Sequence, residues 1–101
     1  MLSDIRSKIK EKKINWRVHA TQRLIERGIS RASIIHSILN CEIIEEYPAD
    51  FPFPSCLILG FDENSSPLHS VCAIGQNYLW IITVYKPASD KWENNYKTRR
   101  R

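Results

Sequence analysis

The hydrophobic period changes once along this chain, near Cys41, and that change dictates the fold class. Up to Asn40, apolar residues recur three and four apart, as on a helix. From Glu42 onward they alternate or form short β-branched and aromatic blocks, as in strands. Helices first and strands afterwards predict an α+β domain rather than an alternating one. With 101 residues there is room for one domain, 1–101, because a second core would need roughly 50 residues of its own.

Two or three helices are expected. Ser3 to Lys13 is charged and weakly amphipathic, with Ile5 and Ile9 four apart, and Trp16 follows as an anchor. Arg17 to Arg27 has helical spacing, and its Val18/Thr21/Ile25 stripe, with Leu24 beside it, is the expected buried face. Gly28 suits a left-handed cap, with Ile29 as its hydrophobic contact. Ser30 then caps a helix that carries Ile34, Ile35, Ile38 and Leu39 on one arc and ends at Asn40.

Four strands follow: Glu42 to Tyr47, Ser55 to Phe61, Leu68 to Ile74 and Tyr78 to Lys86. Pro48, Pro52 and Pro54 break the first connection, and Asp62–Ser66 and Gly75-Gln76-Asn77 supply turns. Short links between neighbours favour an antiparallel meander. The expected architecture is two or three N-terminal helices packed on one face of a four-stranded antiparallel sheet.

Composition narrows the class of protein. Hydrophobic residues make up 43% and charged residues 26%, which excludes wholesale disorder and a coiled-coil rod. The longest apolar stretch, Tyr78 to Tyr85, is far short of the ~20 residues of a membrane span. The first 20 residues lack the apolar core of a secretory signal. Cys41, Cys56 and Cys72 are odd in number, with no close pair, and have apolar flanks. They suggest buried reduced thiols and a cytoplasmic protein.

Charge is segregated. Residues 1–31 sum to +6, residues 32–85 to −6 with no Lys or Arg, and residues 86–101 to +4. Basic ends folded onto one side would make a surface for a polyanion. They would otherwise serve solubility.

His19, Arg23 and Arg27 fall at i, i+4 and i+8, expected opposite the buried stripe and facing solvent or a cleft. Two guanidiniums with an imidazole suit a phosphate chain, since Arg grips phosphate oxygens in a fork and His moves protons near neutral pH. A solvated helix face is the plain alternative. His69 shares a strand face with Val71 and Ala73, opposite Leu68, Cys72 and Ile74. Tyr85 and Lys86 end the last strand, where side chains border clefts. Trp92 and Tyr96 lie four apart, in a short helix or an anchored tail. Arg99, Arg100 and Arg101 can add phosphate affinity or form a mobile solubilising tail from about residue 92. His36 reads as structural. No phosphate loop, catalytic triad or metal-ligand spacing is present, so no metal and no cofactor are expected.

These residues carry a resemblance. His19-Ala20 through Arg23, then Glu26-Arg27-Gly28-Ile29-Ser30, resembles the opening helix signature of a small bacterial family of uncharacterised domains. The later pieces follow in order: Glu42 to Tyr47-Pro48, Leu59-Gly60-Phe61, Pro67-Leu68-His69 with Val71, Ile82-Thr83-Val84-Tyr85 with Pro87, and Trp92-Glu93. Such proteins resemble the BrnT-type toxins of the RelE-like superfamily. They are often encoded beside a protein with a YgiT-type zinc finger, similar to the MqsA-type antitoxins. The resemblance implies a RelE/BrnT-like fold and the toxin half of a type II toxin–antitoxin pair.

The expected function is therefore a metal-independent endoribonuclease, an mRNA interferase, with RNA and a cognate antitoxin as partners. It also leaves room for a homodimer. The ribose 2′-OH would attack the adjacent phosphate with acid, base and cationic help. His19 and His69 are the acid/base candidates, Arg23 and Arg27 would bind the scissile phosphate, Tyr85 would position it, and Lys86 would contribute affinity. The alternative is a non-catalytic module binding nucleic acid or an acidic protein with the same basic face. In a third option the His19/Arg23/Arg27 row chiefly docks the antitoxin.

Overall fold

The structure, a computed structural model, describes residues 2–101. Helix α1 spans Leu2–Lys10 and is fully docked: Ile5 is buried, and Ile9 packs against the core. It stops short of Lys13 because Lys12 takes a left-handed φ of 59° and turns the chain into strand β1, Ile14–Trp16. Three residues are too few to display alternation, so the sequence gives no sign of this strand.

Helix α2 spans Val18–Arg27. It ends at Gly28, φ 64°, where Gly28 N–H donates to Ile25 O and Ile29 N–H to Leu24 O. This is the two-bond left-handed cap that Gly permits without a Cβ clash. Helix α3 spans Arg31–Leu39, and the Ser30 hydroxyl accepts the Ser33 N–H at 3.0 Å. The buried face of α2 corrects an expectation. Ala20 and Leu24 are buried, whereas Val18 is 71% and Ile25 78% exposed. α2 packs chiefly against the last strand, and Ala20 is the smallest side chain it buries there.

Strands β2 (Glu42–Tyr47), β3 (Ser55–Phe61), β4 (Pro67–Gly75) and β5 (Tyr78–Tyr85) form the expected antiparallel meander. The sheet is nevertheless five-stranded and mixed, in the order β1-β5-β4-β3-β2, because β1 adds to β5 in parallel. β1 pairs only with Leu79–Ile81, so β5 beyond Ile81 has an uncovered edge.

Two bulges decide which side chains share a face. One residue, Ile44, is extra in β2, and one, Ile82, is extra in β5. Across the ladder Cys56, Cys72 and Ile81 face the helices, and the main apolar cluster gathers there. On the other face, register aligns Leu59, His69 and Tyr85 in one row and Ser55, Ala73 and Trp80 in another. His69 thus shares its face with Val71 and Ala73, as alternation predicts.

Among the described residues no helix packs on this second face. Phe53, from the proline-rich loop, lies against Trp80 with ring centroids 6.1 Å apart. At the other end the segment after β5 folds back. Trp92 is buried and bridges to Arg99, Glu93 N–H donates to Thr98 O, and Arg100 N–H to Lys91 O. The segment is an anchored strap, neither a helix nor a mobile tail. The three cysteines are buried and free.

Candidate functional site

The largest cleft lies past the end of β5. Its volume is about 540 Å³, and it is lined by Arg27, Tyr85, Lys86, Ala88, Lys91, Trp92 and Arg99. Three elements meet there: the last residue of α2, the end of β5 and the C-terminal strap. Arg27 reaches it through helix geometry. At ~100° per residue, positions i, i+4 and i+8 drift by about 40° per step, so Arg27 turns toward β5 while His19 and Arg23 stay outward. One Arg27 nitrogen donates to Val84 O at 2.6 Å, on the edge that β1 leaves open.

Tyr85 lines the cleft, and His69 lies behind it. His69 is fully buried, edge-on to Trp92 at 4.5 Å and to Tyr85 at 5.2 Å. Its Nε2 lies 2.7 Å from Tyr96 O, which can only accept, so Nε2 carries a proton and donates it. Its Nδ1 lies 3.2 Å from the Tyr85 hydroxyl. In the neutral ring this nitrogen has only a lone pair, so Tyr85 O–H donates to it. Burial favours the neutral forms of both groups: it lowers the His69 pKa and raises that of Tyr85.

The rim is fixed by a second network. Arg99 grips Glu45 with two hydrogen bonds of 2.8 and 2.9 Å, and its guanidinium lies 4.6 Å over the Trp92 ring. The bulge at Ile44 puts Glu45 in register with Leu57, on this face. Tyr47 O–H donates to the same carboxylate at 2.5 Å. Burial, and then Glu45, push the Tyr47 pKa up to about 12, while the Arg99 bonds lower that of Glu45. Arg99 is thus a partly neutralised cation that holds the strap over His69.

Among the described residues no acidic side chain lines the cleft. Arg27, Lys86 and Lys91 have no carboxylate partner among the described residues. Three uncompensated cations lining one cleft with a tyrosine suit a phosphodiester, whose oxygens accept from guanidinium and ammonium donors. Among the described residues no His, Cys, Asp and Glu cluster could hold a metal ion.

The expected site residues separate. Arg27, Tyr85, Lys86 and Arg99 line the cleft, and His69 supports it from below. His19 and Arg23 are exposed on α2 and outside its lining. Arg100 is occupied with Glu93 and Ser89 O, and Arg101 is exposed. Lys91, Trp92 and Glu45 were not foreseen. The segregated charge held the signal for Glu45, since an acidic middle and basic end must pair when they fold together. Lys97–Glu42, 2.9 Å, is a second such pair.

Comparison with known proteins gives one match. The family model described as "Domain of unknown function (DUF4258)" matches residues 16–86, well over half of the chain. No curated protein and no solved structure matches it. The match runs from Trp16, the last residue of β1, to Lys86, leaving the strap outside it.

Proposed function

The chain belongs to the DUF4258 family of domains of unknown function, and from that membership and the cleft we propose that it cleaves RNA as the toxin of a toxin–antitoxin pair. The observation that carries this reading is a cleft lined by a tyrosine and three cations without carboxylate partners, with no acid in the lining among the described residues. Arg27 would hold the scissile phosphate. Tyr85 would take the 2′-OH proton as its own passes to His69 Nδ1, so His69 acts through Tyr85 as a positioning and relay group. Lys86 and Lys91 would stabilise the charged transition state and protonate the leaving 5′-oxygen.

Helices on an antiparallel meander support a RelE/BrnT-like origin. Exposed Val18 and Ile25 beside His19 and Arg23 suit a protein partner on α2, such as a YgiT-type zinc-finger antitoxin. Three buried free thiols suit the cytoplasm. A second reading, a nucleic-acid-binding module that cuts nothing, draws on the complete burial of His69 in a neutral form.

The test is end-labelled single-stranded RNA in EDTA, with and without ribosomes. Discrete cuts ending in 2′,3′-cyclic phosphate are expected. Tyr85→Phe should slow them by roughly 10²-fold or more, and Arg27→Ala should weaken both cutting and binding. RNA bound but intact in both reactions would leave only the binding module.

A further inference from the structure

A second, smaller recess lies on the same sheet face as Tyr85, at the far end of β5. Its volume is about 170 Å³, and Arg17, Asp50, Phe51, Phe53 and Trp80 line it, with Ile82 at its edge. An apolar cavity of about 150 Å³ holds one benzene-sized ring. We propose that this recess takes a single unpaired nucleobase of the strand whose phosphate lies in the Tyr85 cleft. The proposal rests on the RNA reading above and names the part of the RNA it grips.

The composition singles out a base. Phe51 is 94% exposed on the proline-rich loop, an aromatic ring with almost no cover from its own protein. Trp80 forms the wall, its Nε1 fixed by donation to Gly75 O at 2.9 Å, and the Arg17 guanidinium lies 5.9 Å from its ring centroid. Unpaired bases stack on aromatic rings and guanidinium planes. Asp50 argues against a phosphate here, since its carboxylate would repel one, whereas it can accept from base N–H groups. Asp50 is held in place by the Ser55 hydroxyl.

The spacing fits one strand. The rows containing Trp80 and Tyr85 are separated by the four residue steps from His69 to Ala73. That is roughly 13 Å along a strand, or about four nucleotides at the ~3.4 Å spacing of a stacked chain, and fewer if it is stretched. The two sites share a face only because Ile82 is extra.

Binding is measured with a fluorescent oligoribonucleotide carrying 2′-O-methyl riboses, which cannot be cleaved by the 2′-OH route. Phe51 is on the surface, so Phe51→Ala should fold normally, which circular dichroism checks. The expected loss is about five- to 150-fold in Kd, the range for one stacked base. An oligonucleotide made abasic at the seated position should lose a similar factor, and the two changes together should cost no more than either alone. Arg17→Ala should weaken binding in the same base-dependent way. Unchanged affinity in Phe51→Ala, or losses that multiply with the abasic change, would overturn the proposal. If wild-type protein cuts RNA while Phe51→Ala binds normally, the cleavage reading stands and the base site falls. If nothing is cut but Phe51→Ala loses base-dependent affinity, the reverse holds.

Discussion

Burial sets the sign of the pH response at His69. The folded-state pKa lies below the ordinary value of 6.5, so the unfolded chain binds this proton first as pH falls. His69 therefore stabilises the fold fully above about pH 6.5, and that stability drains away as pH drops toward its lower folded pKa. Urea midpoints should be flat from pH 8 to 7 in this respect and fall from about pH 6.5 downward. His69→Gln should lower stability overall yet flatten the slope over that window. An unchanged slope would mean that His69 titrates normally. The carboxylate of Glu45, depressed by Arg99, adds its own loss only below about pH 4.5. Residue by residue, the site was half legible. Arg27, Tyr85 and Lys86 stand at the ends of elements, where clefts form, and the sequence marks those ends. The spacing of His19, Arg23 and Arg27 predicts one face, but helical drift turns the last member inward and leaves the other two outside.

Among the elements, α3 and β3 come close enough at Gly60 to leave no room for a side chain. A Cβ at Gly60 would stand 1.9 Å from Ser37 O and 2.6 Å from its carbonyl carbon, both backbone atoms that cannot rotate away. Gly60→Ala must therefore push α3 from the sheet, at a cost of roughly 1–3 kcal/mol or more, readable as a lower urea midpoint. Unchanged stability would mean that the contact is looser than it looks. The sequence predicted α2, α3 and the four meander strands because each carries its own period, cap or turn. It could not predict β1, whose three residues gain their identity only from β5, about 65 positions onward. It also misjudged the buried side of α2. A Val/Thr/Ile stripe and an Ala/Leu stripe are adjacent on one helix, and only the partner surface chooses between them.

At the scale of the whole molecule, the formal charge of +4 understates the cleft, since the acids lie elsewhere or are already paired. Single-stranded RNA binding should weaken with salt, with a log–log slope near −0.7 per phosphate neutralised. For Arg27, Lys86 and Lys91 that gives roughly −2. Arg27→Ala should make the slope shallower by about 0.7, as anisotropy titrations would show. Arg101→Ala should change it little, since this residue does not line the cleft. A wild-type slope near zero would mean that the cleft does not hold the phosphates.

The extra residues in β2 and β5 give this domain an unusual relation to gene-length changes. Most single-codon deletions in a strand are destructive because everything beyond them swaps sides. Here Ile82 is the one residue of β5 that the ladder already passes over. Removing it would leave a regularly alternating strand with Leu79, Ile81 and Val84 still toward the helices and Trp80, Thr83 and Tyr85 still on the other face, each opposite its present partner. Deletion of Leu57 has no such slack, because β3 pairs with β4 residue for residue. Deletion of Ile82 should therefore lower the urea midpoint far less than deletion of Leu57, and equal losses would mean that the extra residue is not spare.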